Sequence, residues 1–354
     1  MHIIFNPPDN IENKYIKLMV EPLSRAGFHI HALDNIFSSI RHFRSIRLVH
    51  LNWFENLNDE SFAKGFNSFL RKAFILTVIR LSGKKLVWTM HNRMSHERKT
   101  GKMSRIISNW LIRWADIIII HCEQSRALLL NTFPDTAAKI RYLPHPDFVG
   151  CYGGSIEKSK PDDTLKLLFV GTIKPYKNIE VLIGAMKQVG DNAHLTIAGN
   201  PKSTTYAQEL KIMAANSTNI TLKLEFIPDE QLPNLIGQCD LLILPYDLES
   251  SLNSGTVILA FSYQKTVICP EIGTLADMME MKDNFLSYRY KSPEEHFSRI
   301  TEVIQQAIKM KIEDPNIFEQ KGQTMFKYIS QKNNKKEVGE GLVEIYNEIL
   351  NSNK

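Results

Sequence analysis

The sequence predicts an α/β protein built from two doubly wound parallel sheets, and three observations carry that prediction. Short β-branched runs alternate with helical stretches, the alternation is made twice over, and between the two passes lies a stretch where apolar periodicity stops. At 354 residues, 43% hydrophobic and 23% charged, the chain has the length for two cores and the composition of a globular protein rather than a disordered one.

In the first pass, strands are expected at Ile3–Phe5, Phe28–His31, Leu48–Leu51, Lys85–Thr89 and Ile117–Ile120, with helices near 11–26, 61–82 and 103–114. The second pass gives strands at Leu165–Val170, His194–Ala198, Ile220–Phe226, Asp240–Leu244 and Thr266–Cys269. Turn formers gather in residues 150–163, which sets the expected domains at 1–155 and 156–330, followed by a C-terminal helical segment over 331–354. The start, MHIIFNPPDN, has neither a basic stretch nor a long apolar one, so no leader peptide is expected, and no run reaches the ~20 apolar residues of a membrane span. Cys122, Cys151, Cys239 and Cys269 are scattered without CxxC spacing, which argues against a zinc site or a disulfide framework. A reduced, cytoplasmic location is expected, and the sequons at Asn216 and Asn219 then read as chance.

Charge is uneven. Residues 1–150 hold 21 Lys and Arg against 12 Asp and Glu, net +9, whereas residues 151–354 hold 22 against 26, net −4. The basic half suits an anionic partner: lipid headgroups, nucleic acid or an acidic substrate, with an ordinary solvated surface as the plainer reading. No recognisable nucleic-acid module is present, so nucleic acid ranks last. The segment from Ser61 to Lys85 mixes phenylalanines with Lys64, Arg71, Lys72 and Arg80, which fits a helix on an anionic bilayer or a core helix with a basic outer face.

Two strand ends are suited to anions. After Leu165–Val170 comes Gly171-Thr-Ile-Lys-Pro-Tyr-Lys177, then a helix whose apolar face is Ile179, Leu182, Ile183, Met186 and Val189. In a parallel sheet ligands bind beyond the carboxyl ends of the strands, and glycine lets them approach the backbone while the next helix presents free N–H groups. Lys174 and Lys177 flank that turn. After Asp240–Leu244 the chain reaches Asn253 or Ser254 as N-cap, with the Gly255 and Thr256 amides beyond. Two such ends in one domain suit a diphosphate.

The segments LLFVGTIKPYKNIEVLI, HLTIAGNP and SGTVILAFSYQKTVICPEIG, together with VHLNW, WTMHNRMSHE and RYLPHPDFVGCY in the first half, resemble GT-B glycosyltransferases, in particular the family-4 group of capsular and exopolysaccharide biosynthesis. The resemblance implies two Rossmann-like domains facing a cleft, a nucleotide sugar held mainly by the second and an acceptor by the first, and a last helix, here Glu337–Leu350, that returns to the first domain. Carried over by position, Gly171, Thr172, Lys174 and Lys177 form the donor turn, Lys177 falling on the lysine that contacts the diphosphate. Thr172 stands where an arginine is common, and Lys174 is the candidate to supply that charge. Ser254, Gly255 and Thr256 fall where backbone amides meet the distal phosphate. His91 falls on a histidine near the transferred sugar, with Asn92, His96 and Glu97 beside it on the acceptor side.

The chain departs from the pattern at Ser251 and Leu259, where many members have glutamates for sugar and ribose, and in its first loop, Asn6-Pro-Pro-Asp-Asn10, which lacks glycine. Glu249, or Asp247, is left to reach the sugar, and Glu249 joins His91 as a candidate catalytic residue. Tyr15, His50 and Trp53 are candidates for the acceptor side or for the core. Glycosyl transfer builds negative charge on the leaving diphosphate, and fixed cations and amides meet that need, so catalysis without a metal or other cofactor is expected. Expected partners are a nucleotide sugar, a saccharide or lipid-linked saccharide and an anionic membrane surface; a non-catalytic partner subunit of a transferase and a nucleotide-sugar 2-epimerase remain as alternatives.

Overall fold

The computed structural model describes residues 1–10, 13–58, 60–93, 101–153 and 163–351. It contains two compact units: Met1–Pro146 with Glu249–Asn253 and Asn333–Lys354, and Asp147–Leu248 with Ser254–Lys332.

Unit 1 is built on six strands, β1 (His2–Asn6), β2 (His29–His31), β3 (Ile46–Asn52), β4 (Lys85–Met90), β5 (Ile117–Ile120) and β6 (Ile140–Tyr142). Their order is β2-β1-β3-β4-β5-β6, and every pairing is parallel. Alternate residues point to opposite faces, so β1, β3, β4 and β5 each feed two cores. Ile4, Val49, Leu51, Trp88 and Ile118 join the core packed by helix Phe62–Leu81 and helix Gly101–Trp114. Ile3, Phe5, Leu48, Val87 and Ile119 join the core on the other face. There helix Lys14–Arg25 packs against the C-terminal helix Lys335–Asn351 through Tyr15, Met19, Leu342 and Tyr346. The two helices approach so closely that a Cβ on Gly339 would lie 2.4 Å from Pro22 Cγ. Leu252, far along the chain, also belongs to a unit 1 core.

Unit 2 repeats the plan with β7 (Leu165–Val170), β8 (Ala193–Ala198), β9 (Ile220–Lys223), β10 (Leu241–Ile243), β11 (Thr266–Pro270) and β12 (Leu286–Tyr288). The order is β12-β11-β10-β7-β8-β9, all parallel. The chain leaves β7 in one direction across the sheet and later returns to β10 on its other side. The ends of β7 and β10 therefore border the topological switch point, where ligands of open α/β sheets bind.

The short strands β6 and β12 were not expected from sequence; three residues each are too few to show a period. The first unit's leading stretch ends at Pro146 rather than near 155, because Phe148 N donates to Ser262 Oγ (2.9 Å) and Tyr152 N to Tyr263 Oη (3.1 Å), both in unit 2. The expected boundary residues, 155 and 156, lie outside the described residues.

Candidate active site

In unit 2 the β7 end turns sharply at Gly171 (φ 145°), whose N–H donates to Ala198 O (3.1 Å). The neighbouring end of β8 is equally tight: a Cβ on Gly199 would sit 1.8 Å from Gly171 O. The chain then makes a short 3₁₀ turn, Pro175–Lys177, and enters helix Ile179–Val189 through Asn178 in the left-handed region (φ 52°). Asparagine tolerates that conformation, and its Nδ2 donates to Pro245 O (3.0 Å), tying the β7 turn to the loop after β10.

That loop supplies Tyr246, whose buried ring lies under Lys177: Nζ is 4.0 Å from the ring centroid. Tyr246 Oη is hydrogen-bonded to Ser254 Oγ (3.1 Å), which also accepts from Val257 N (3.2 Å) as N-cap of helix Gly255–Ser262. Ser254 N donates to Thr274 Oγ1 (3.0 Å). Lys177, Tyr246 and Ser254 are thus one connected cluster at the switch point. Burial lowers the pKa of Lys177, partly offset by Tyr176 and Cys269, with repulsion from Lys174 as the smallest contribution. Among the described residues no hydrogen bond or ion pair engages its ammonium. A half-buried cation held over an aromatic face without a counter-ion is suited to an incoming anion. Gly255 and Thr256 begin the helix, and their N–H groups are among those a helix start leaves unpaired. Lys174 is exposed and Thr172 half-buried on the same turn.

In unit 1 the strand ends gather histidines. His91 follows β4 and is buried, stacked on Trp53 (centroids 4.1 Å apart, planes at 18°). Its Nε2 lies 2.9 Å from Asn52 Oδ1, and Asn52 Nδ2 donates to Asn6 O (3.3 Å), so the amide turns its oxygen to the ring and Nε2 carries the proton. Nδ1 is then the basic nitrogen. His121, after β5, donates from Nδ1 to Leu143 O (2.7 Å) and accepts from Tyr15 Oη at Nε2 (2.9 Å). His145 donates from Nδ1 to Pro146 O (2.8 Å), and His50 is held between Tyr346 Oη (2.6 Å) and Thr89 Oγ1 (2.7 Å). Burial first, then mutual repulsion, pushes His50 and His145 down to about 3 and His91 well below the usual imidazole value; burial takes His121 to about 4, against a backbone hydrogen bond that raises it. Among the described residues no group of His, Cys, Asp and Glu is arranged to hold a metal.

The segment Glu249–Asn253 belongs to this unit. Ser251 pairs with Asn92 as an isolated antiparallel bridge, Arg93 N donates to Ser250 O (3.2 Å), and Asn253 Nδ2 donates to His91 O (3.1 Å). Asn253 Oδ1 is buried and among the described residues has no hydrogen-bond partner. His91, Asn92 and the segment carrying Glu249, which is exposed, are therefore brought together. His96 and Glu97 lie outside the described residues. Ser251, at one departure from the glutamate pattern, is spent on the bridge, and Leu259 is buried within its helix. Tyr15 and His50 are fully buried, whereas Trp53 takes a left-handed backbone (φ 49°) to put its ring on His91. Sequence reasoning missed Tyr246, Asn52, His121 and His145. All follow or close parallel strands, which is the signal that was available.

Residues 155–325 match the family described as glycosyl transferases group 1. A GDP-mannose:glycolipid 4-beta-D-mannosyltransferase of Xanthomonas campestris pv. campestris is 29% identical over 229 residues, 63% of this chain and 61% of the relative. The matched stretch thus spans about three-fifths of the length of that relative. Among solved structures, Anabaena HepE in complex with UDP and glucose aligns with a TM-score of 0.68 at 14% identity, covering 98% of each chain. Sucrose-phosphate synthase from Thermosynechococcus elongatus aligns with a TM-score of 0.73 at 14% identity, covering 99% of each. The chain therefore has the GT-B fold, and its residues 155–325 are similar to the glycosyl transferases group 1 family.

Proposed function

We propose that the protein transfers a hexose from a nucleotide-diphosphate sugar to a saccharide or lipid-linked saccharide acceptor, in the cytoplasm, as a step of bacterial surface polysaccharide assembly. The observation that carries this reading is the half-buried Lys177 ammonium at the switch point of unit 2, unpaired among the described residues and linked through Tyr246 to the helix start at Ser254. Lys177 and the Gly255 and Thr256 amides stabilise the charge that grows on the departing diphosphate, and Lys174 adds a second cation at the turn. Because these groups are fixed before reaction, the reading calls for no metal. Activity is expected to persist in chelator.

His91 takes a positioning part. An efficient general base has a pKa near the operating pH, whereas His91 is held neutral and backed by an amide rather than a carboxylate. Its Nδ1 serves as a hydrogen-bond acceptor for a sugar or acceptor hydroxyl, and Asn253, whose Nδ2 donates to His91 O, offers its Oδ1 as a second acceptor atom. Glu249 is the candidate carboxylate at the reacting centre. The mannosyltransferase relative makes GDP-mannose with a glycolipid acceptor the first pair to test.

The test supplies labelled GDP-mannose, UDP-glucose and other nucleotide sugars with bacterial glycolipid extract. Labelled glycolipid from one donor supports the proposal. Free epimerised sugar formed without acceptor identifies an epimerase instead, and no donor turnover with any acceptor leaves a non-catalytic partner subunit as the function.

A further inference from the structure

Helix Phe62–Leu81 of unit 1 buries Ile75, Leu76 and Ile79 in the core, yet its opposite side is apolar as well. Phe62, Phe66, Leu70 and Phe74, four residues apart, are 70%, 42%, 48% and 60% exposed, and Leu81 at the end is 82% exposed. At this spacing they share one solvent face of a helix about 30 Å long. The face widens sideways: the Phe37 ring meets Phe74 at 5.9 Å, and Ile40 beyond it is 74% exposed. Contiguous exposed apolar surface of this size marks an interaction site rather than ordinary surface.

The charge around it selects the partner. Arg41, Arg44, Arg47 and Arg80 are exposed, and among the described residues none has a hydrogen-bond or ion-pair partner. The nearby acids are already engaged, Asp34 by Arg71 (2.5 Å) and Glu60 by Lys64. A second copy of the chain docked by two-fold symmetry would set these arginines against their own equivalents. Among the described residues no helix is long and apolar enough to cross a membrane, so the face suits lying on a bilayer rather than passing through it.

We propose that the exposed side of helix Phe62–Leu81, extended by Phe37 and Ile40, docks the protein on an anionic lipid bilayer. The phenylalanines and leucines enter the headgroup boundary and the arginines meet lipid phosphates. The inference stands apart from the transferase reading, because vesicle binding is measured without donor or acceptor. The full chain is sedimented with phosphatidylcholine vesicles, with and without about 30% phosphatidylglycerol, at about 0.1 M and about 0.5 M salt. Binding is expected on anionic vesicles and at least tenfold weaker on neutral ones or in high salt. Replacing Phe66, Leu70 and Phe74 together by serine removes it. Arg41→Gln, Arg44→Gln and Arg47→Gln together lower partitioning by about 100-fold, about fivefold for each arginine. All six positions avoid the buried core, so both variants keep the wild-type circular dichroism and melting profile. Absence of binding to anionic vesicles overturns the proposal, as does binding that neither variant changes. A lipid-free dimer abolished by the serine variant assigns the face to self-association instead.

Discussion

At the scale of single residues, two side chains, Lys177 and His91, are held in unusual states. Lys177 is a cation partly withdrawn from water that has no counter-ion among the described residues, so an anion that restores its charge gains what burial took away. Lys177→Ala is predicted to lower turnover by about 100-fold or more with the fold intact, checked by steady-state kinetics beside thermal melting. The pKa of the lysine is lowered, so its charge is lost at a lower pH than that of an ordinary lysine. Diphosphate affinity should therefore decline as alkaline pH passes through that lowered value, and the decline should vanish in Lys177→Ala. His91→Ala should reduce transfer while leaving nucleotide affinity within about twofold, because its ring belongs to unit 1. Lys177 was legible in the sequence from a strand-turn-helix pattern. Tyr246 beneath it was not, since a tyrosine after Pro245 carries no mark of which side chain will rest on its face.

At the scale of elements, strand ends were legible where an apolar run is bounded on both sides by polar or turn residues, as in Leu165–Val170 between Thr164 and Gly171 and Ile117–Ile120 between Asp116 and His121, whose observed bounds equal the expected ones. The return of Glu249–Asn253 to unit 1 was not, because it rests on a few backbone hydrogen bonds and one buried leucine, features without a period. Helix Phe62–Leu81 shows the same limit from another side. Its sequence fitted either a core or a bilayer, and only packing decides which apolar residues are left outside. Helix contact across Gly339 is set by side-chain volume. Gly339→Ala brings a methyl group against Pro22, and a loss of about 1–3 kcal/mol is expected in denaturant unfolding, with Gln306→Ala as an exposed-helix comparison of smaller effect.

At the scale of the whole molecule, the four histidines buried in unit 1 link stability to pH. Their folded-state pKa values lie below the ordinary imidazole value near 6.5, so between about 4 and 6.5 the unfolded chain binds more protons than the folded one. Stability is therefore present above pH 6.5 and lost as pH falls through that window, at up to about 1.4 kcal/mol per pH unit for each group fully engaged. Urea unfolding at pH 7 and pH 5 should show the difference, reduced in His145→Phe. The central claim, however, is that the switch point of unit 2 is a nucleotide-diphosphate site built on Lys177, and calorimetric titration of GDP and UDP into wild type and Lys177→Ala tests it most directly. One saturable site for one of the two nucleotides, weakened at least tenfold in the folded variant, is the predicted result. Equal affinity in wild type and variant, or no binding of either nucleotide to the wild-type protein, would contradict it.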